Sequence, residues 1–254
     1  SNANLEHLAG LIELEPERVR FVHGSILDDE AVADATDDTR TIFHLAALGS
    51  VPRSIEFPQR TWSVNATGTV NPVTTVLVGA EISGRLVELL ADFNTPVKAG
   101  QTVARLRYFN VFGPRQNPNS AYAAVIAAFA KKIAAGEAPV IQGDGSQTRD
   151  FTFVADAVLA TLLAGAAPAP LKGEALNVGT GNATSVASLA SLMIAQSDHR
   201  SLQPVHEPAR AGDVPHSLAD FGKARELIGF EPTTSIQAGL DETMRWYRSS
   251  LAKA

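Results

Sequence analysis

The sequence predicts an α/β fold organised around a parallel sheet, and three observations carry that expectation. Short apolar runs that end at Gly or Pro turns alternate with segments of helical composition, as strands joined by crossover helices do. Two of the runs, "TRTIFHLAALGS" (Thr39–Ser50) and "LRYFNVFGP" (Leu106–Pro114), are apolar over most of their length, the pattern of a strand buried on both faces. Helix-then-strand order returns late in the chain, where "VADAVLATLLAGA" precedes "GEALNVGTG". With 45% apolar residues in 254, there is material for an ample core.

Taken in order, "RVRFVHGSILD" (Arg18–Asp28) reads as a short strand ending in a turn, and "DDEAVADATDD" has helical composition with acidic ends. Thr39–Ser50 then completes a β-α-β unit. "PRSIEFPQRTWSVNATGTVN" reads as a helix starting near Pro58, with Trp62, Asn65, Ala66 and Thr69 at helical spacing. After Asn71 the pattern changes. "TTVLVG" and "GRLVELLA" are β-rich runs flanking Gly79 and Gly84, and Pro96 and Gly100 fall at turn positions in "DFNTPVKAGQTVARL". Residues 71–105 therefore read as three short strands with no full-length helix, followed by the buried strand that starts at Leu106. Farther on, "AYAAVIAAFAKKIAAGE" is a helix with Lys131 and Lys132 near its C-terminus and Gly136 beyond it. "PVIQGDGSQTRDFTFV" reads as a hairpin about Gly143-Asp144-Gly145. "TSVASLASLMIAQSD" is a helix capped by Thr184 or Ser185, and "ADFGKARELIGF" and "SIQAGLDETMRWYRSSLAKA" are terminal helices.

Composition narrows the function. A net charge of -6 argues against a general nucleic-acid surface. The absence of Cys removes disulfides, thiolate catalysis and Cys-based zinc sites, and fits a reducing, cytoplasmic setting. No apolar run approaches the roughly 20 residues of a membrane helix, and no signal peptide is visible. Ser1-Asn2-Ala3 reads as the remnant of a cleaved tag. No two of the six histidines have the close helical spacing of a zinc site, so no metal is expected, and His44 sits inside an apolar strand as a core residue would.

Four stretches could carry chemistry. The glycine-rich dinucleotide fingerprint is absent; "GTGNAT" from Gly179 is the nearest approach, but it lies far along the chain, lacks the third Gly, and reads instead as a strand-to-helix turn. "GDGSQTRDF" sets Arg149 on a strand after a tight turn, where it could bond a phosphate bidentately or pair with an Asp on the surface. "RYFNVFGPRQNPNSAY" brings Asn110, Arg115, Gln116 and Asn119 to the carboxyl end of a parallel strand, either for an anionic, hydroxyl-rich ligand or as a polar cap. "EPARAGDVPHSLAD" places Arg210 beside Gly212 and Asp213, as the second arm of a diphosphate clamp or in a surface ion pair worth about 0–1 kcal/mol.

Together "IFHLAALGSVPRSIEFP", "NATGT", "LRYFNVFGPRQNPNSAYAAVI", "GDGSQTRDFTFV", "LNVGTG", "ARAGDVPHSLAD" and "LIGFEPTTSIQAGLDETMRWY" resemble, in order, the NAD-dependent sugar-nucleotide epimerases, which are extended short-chain dehydrogenases/reductases. "LGSVPRS" looks most like the branch acting on UDP-N-acetylhexosamines. The likeness covers roughly 4–70 and 106–247. It implies an incomplete Rossmann-like parallel sheet (4–70), a β-rich insert (71–105), and the rest of the sheet with a smaller sugar-nucleotide-binding α/β region (106–254). It also implies cofactor contacts at Leu45, Ala46 and Ala47, and UDP-sugar contacts at Asn110, Arg149 and Arg210. A homo-oligomer is expected as well, since the helix of Pro58–Asn71 packs in dimer interfaces of the family.

Two departures bear on activity. The chain as read starts at what resembles the segment after the glycine-rich NAD loop, so retention of NAD is not expected. The family's catalytic pair is a Tyr with a Lys four residues later, the Lys charge lowering the phenol's pKa. Here Tyr108, Tyr122 and Tyr247 are followed at that spacing by Phe112, Ile126 and Leu251, so no catalytic residue is assigned. Where the resemblance places that pair, "VGAEISGRLVELLADFNTPVKAGQTVARL" (Val78–Leu106) looks instead like half of a biotinyl/lipoyl-like hairpin, with Lys98 as a turn residue. Three functions follow as expectations: an active epimerase, a silent UDP-sugar binder, or a recombined scaffold without ligand, with an epimerase-family protein lacking turnover as the reading preferred.

Overall fold

A computed structural model describes residues 13, 21–22, 24–25, 28–36, 41–44, 74–80, 102–118, 125–167, 169, 171–210 and 213–251. Among the described residues the strands are β1 (Thr41–His44), β2 (Thr74–Ala80), β3 (Thr102–Tyr108), β4 (Val140–Gln142), β5 (Thr148–Asp150), β6 (Glu174–Val178), β7 (Ala183–Ser185) and β8 (Val205–Glu207). The helices are α1 (Asp29–Thr36), α2 (Val125–Ala134), α3 (Val154–Gly165), α4 (Val186–Ala195), α5 (Gly222–Ile228) and α6 (Ile236–Leu251).

The parallel sheet runs β1-β2-β3-β6, every pair parallel. This is the α/β fold with a parallel sheet that the sequence predicts. β3 shows why the chain folds so locally: Ala104 and Leu106 are fully buried while the alternating Arg107 is exposed. On β6, Leu176 and Val178 are buried likewise. Helix α3 covers this sheet with Ala157, Ala160 and Ala164, small residues at helical spacing, and Ala224, Ile228 and Phe230 close the cluster. Asp156, buried in the first turn of α3, accepts from Thr233 N–H (3.0 Å), Thr233 Oγ1 (2.9 Å) and Thr234 N–H (3.2 Å), tying the segment before α6 to the sheet layer.

A second core joins α2, α4 and α6 around Phe112, Phe151 and Phe153. Phe112 and Phe153 meet edge to face at 5.5 Å, a geometry aromatic quadrupoles favour. Ser185 caps α4, its hydroxyl accepting from Ser188 N–H at 3.1 Å, which selects one of the two caps the sequence allowed.

Three expectations need restating. Thr74–Ala80 and Thr102–Tyr108 are parallel members of the sheet, and β3 starts four residues before Leu106, inside the stretch read as an insert. Residues 81–101 lie outside the described residues, as does the helix expected over 58–71. The hairpin expected over 139–154 is not formed. β4 pairs parallel with β8 and β5 pairs antiparallel with β7, so the two runs never face each other. The cause is local: Gly143 and Gly145 both hold positive φ (77° and 78°), Gly143 N–H donates to Glu207 O at 2.8 Å, and the chain is turned toward β8 rather than back on itself. Finally, Phe21, Val22, Gly24 and Ser25 carry no strand; Ser25 O accepts from Asp28 N–H at 3.0 Å in the turn that opens α1.

Two buried phenols predict a pH response. Tyr247 donates to Gln116 O, and burial pushes its pKa up to about 12. Tyr108 is raised to about 12 by burial, against the opposing pull of its hydrogen bond with Thr161. Thr161 Oγ1 itself donates to Ala157 O, so Tyr108 is the donor in that bond and stays protonated. The folded phenols hold protons that the unfolded chain releases near pH 10, so their contribution is complete below that pH and is lost as pH rises through about 12. Urea unfolding at stepped pH is expected to show stability falling across this window, with a shallower slope in Tyr108→Phe.

Candidate functional site

The site grows from three consecutive residues. In β5, neighbouring side chains point to opposite faces, which sends Arg149 outward and Asp150 inward. β7 pairs with one edge of β5, and the segment after Asp213 lines the other: Thr148 N–H donates to Pro215 O (2.9 Å) and Ser217 N–H to Thr148 O (3.1 Å).

Arg149 keeps only 14% of its side chain exposed. Its Nη2 donates to Asp213 Oδ1 at 2.6 Å, and its Nη1 to Thr148 O at 2.8 Å. The guanidinium is thus held by two acceptors, Asp213 Oδ1 and Thr148 O. The Arg–Asp pair is therefore formed across 64 residues, and the sequence neighbour Asp150 takes no part in it.

Asp150 is fully buried. Its carboxylate accepts from Thr180 N–H (2.9 and 3.1 Å), Thr180 Oγ1 (2.7 Å), Gly181 N–H (2.9 Å) and Ala219 N–H (3.2 Å). Among the described residues no cation contacts it; oriented dipoles meet its charge. Gly179 makes this approach feasible, because a Cβ there would lie 2.2 Å from Ala219 Cβ and 2.8 Å from Asp150 Oδ2. Gly179→Ala is expected to destabilise the fold by roughly 2–3 kcal/mol through overpacking, read as a lower urea midpoint.

Asn110 leaves β3 with φ 36° and donates from Nδ2 to Asp150 O at 2.9 Å, so its Oδ1 is oriented by the same strand. In the following loop Gln116 is a structural tie: Nε2 donates to Val111 O at 3.0 Å and its carbonyl receives Tyr247. Arg115, at φ 67°, is exposed. Asn119 lies outside the described residues, as do Leu45, Ala46 and Ala47.

Arg149 belongs to β5, and Asn110 is tied to the same strand through the Asp150 carbonyl. Arg210 is exposed, and its side chain bonds none of the described residues. Its carbonyl accepts from Asp213 N–H at 3.3 Å, which turns the chain so that Asp213, rather than Arg210, meets Arg149. Sequence reasoning missed the buried role of Asp150. The only available signal was the alternation of two opposite charges on a strand, one of which must face inward.

Among the described residues no group of His, Asp and Glu could hold a metal ion, and no helix is long and apolar enough to cross a membrane. His44 lies in β1. His206 Nδ1 lies 2.8 Å from Gly143 O, and His216 Nδ1 lies 3.0 Å from Thr148 Oγ1.

The profile of the NAD dependent epimerase/dehydratase family matches residues 96–179, and that of GDP-mannose 4,6 dehydratase matches residues 1–79. A UDP-glucose 4-epimerase of Mycolicibacterium smegmatis is 32% identical, the alignment covering 92% of this chain and 84% of that protein. A putative UDP-glucose 4-epimerase of Methanocaldococcus jannaschii is 28% identical over 92% of this chain and 85% of its own length. The crystal structure of Thermotoga maritima UDP-glucose 4-epimerase with UDP-glucose superposes with a TM-score of 0.75 at 29% identity, covering 92% of this chain and 86% of that one.

NAD is the cofactor of the family. At the glycine turn that follows β6 the described residues do not fit its pyrophosphate: Thr180 and Gly181 direct their N–H groups onto the Asp150 carboxylate, which also fixes a negative charge at that turn. With the parallel sheet, the Arg149 strand and the alignment over nine-tenths of its length all in agreement, the chain belongs to the NAD-dependent sugar-nucleotide epimerases of the extended short-chain dehydrogenase/reductase family.

Proposed function

We propose that this chain binds a UDP-sugar at Arg149 and does not turn it over. The observation that carries the binding half is the largely covered guanidinium of Arg149, fixed by Asp213 and Thr148 O on the strand to which the Asn110 amide is also bonded. A diphosphate supplies the bidentate anion that such a group recognises. A Thermotoga maritima relative of the same fold was crystallised with UDP-glucose, which supports this ligand class. Arg210, exposed and close by in the chain, is proposed as a second cationic arm that closes on the ligand.

The absence of turnover is argued from the phenols. Epimerisation at a sugar carbon needs a group that takes up and returns the hydroxyl proton, with a pKa brought down toward neutrality. No Tyr in the sequence has Lys four residues later. Tyr108 and Tyr247 are displaced the other way, up to about 12, each donating its proton to a neighbouring oxygen. Leu45, Ala46 and Ala47 remain the proposed cofactor-side residues, and retention of NAD is not part of this function.

Calorimetric titration with UDP-glucose and UDP-N-acetylglucosamine is the test, paired with an assay of 4-epimer formation in the presence of added NAD. Binding of at least one ligand with no product is the expected result. Epimer formed by the purified chain overturns the silent half of the proposal, and absence of binding to both ligands overturns the other half.

A further inference from the structure

We propose that Asp150 is a positioning residue for Arg149, an inference that rests on the binding function above. Asp150 reaches three parts of the chain at once. One carboxylate oxygen takes Thr180 N–H and Oγ1, the other takes Thr180, Gly181 and Ala219 N–H, and its own backbone carbonyl takes the Asn110 amide. The connection to Arg149 runs through the segment 213–219. That segment starts at Asp213, the carboxylate that holds the guanidinium, lies along β5 through the Thr148–Pro215 and Ser217–Thr148 bonds, and ends at Ala219 N–H on Asp150.

Asp150 therefore pins the far end of the strap whose near end orients Arg149, and it does so from the opposite face of the same three-residue strand. β5 is too short to hold its own orientation by ladder bonds alone; only Thr148, Arg149 and Asp150 pair with β7. Loss of the carboxylate frees Ala219 and the strap, and Asp213 no longer has a fixed address opposite Arg149. The Gly179–Gly181 turn is loosened by the same change, and with it the far wall against which Ala219 packs.

The test separates positioning from general support. In Asp150→Asn an amide NH2 replaces one of the accepting oxygens, so at least two of the donors are left facing a donor. The readout is the hydrogen-exchange rate of the Arg149 Nε–H by NMR, assigned by its loss in Arg149→Lys, with Arg225, paired to the distant Glu231, as internal reference. Exchange at Arg149 is expected to rise at least tenfold while Arg225 is unchanged, at a temperature where the variant is folded. UDP-glucose affinity is expected to weaken at least tenfold in Asp150→Asn and by less than twofold when the same change is made in Arg149→Ala. Thr180→Val, which removes one donor and leaves the carboxylate, carries the same test with a smaller rise if Asp150→Asn does not fold. An Arg149 exchange rate that stays with Arg225 overturns the proposal whatever the ligand does. A wild-type chain that binds no UDP-glucose but shows the Arg149-specific rise supports the positioning role and removes the binding function instead.

Discussion

Asp150→Ala is expected to lower the unfolding free energy by about 3–5 kcal/mol, the largest single-residue loss anticipated in this chain. The substitution removes a fully buried carboxylate and orphans every donor aimed at it. Hydrogen bonds to a charged acceptor contribute about 1.5–3 kcal/mol each, and a buried N–H left without a partner costs about 1–3 kcal/mol. These terms overlap and do not add. Ala219 N–H sits in a buried residue, shielded from solvent, whereas Thr180 and Gly181 lie nearer solvent and recover part of their bonding. For a domain of this size the loss corresponds to a fall in melting temperature on the order of 10 °C, measurable by calorimetry. Asp150→Asn should fall between wild type and alanine, because one accepting oxygen survives. An alanine variant within about 1 kcal/mol of wild type in urea unfolding would show that the loops find other partners and that the buried carboxylate contributes little.

Arg149→Ala is expected to weaken UDP-glucose binding by about 2–4 kcal/mol, roughly 30- to 1000-fold in Kd. Two costs act together: the bidentate partner proposed for the diphosphate is lost, and Asp213 is left without its ion-pair partner. Arg149→Lys restores the charge without the planar fork and should recover only part of the loss. Fold stability should change far less. The ion pair joins a mostly covered Arg to an Asp with 39% of its side chain exposed, and such partly exposed pairs contribute on the order of 1 kcal/mol or less. Titration and unfolding of the same samples separate the two effects. Equal affinity in Arg149→Ala and wild type would remove Arg149 from the site.

Much of the fold was legible in the residues. The parallel sheet follows from the apolar run at β1 and the short apolar stretches at β3 and β6, and α2, α3, α4 and α6 from apolar spacing with caps and glycine stops. Those are local signals: a helix or a buried strand is written in the residues that form it. The hairpin over 139–154 was misread because turn chemistry reports that the chain reverses, and not which strand it then meets. Arg149 and Asn110 were named from sequence because their side-chain chemistry is self-evident. Asp213 was placed beside Arg210 on the same local grounds, and its actual partner is 64 residues away.

The sequence by itself determined the family, the parallel-sheet class with its strands at β1 and β6, and the want of a Tyr with its Lys one helical turn on. Those properties depend on which residues are present and on spacings of a few positions. Only the tertiary structure decided which carboxylate holds Arg149, that Asp150 is buried and closes the glycine turn at 179–181 against an anion, and that Tyr108 and Tyr247 are held protonated. Burial, and hydrogen bonds between segments 30 to 131 residues apart, set those outcomes, and neither is encoded in any local window of the chain.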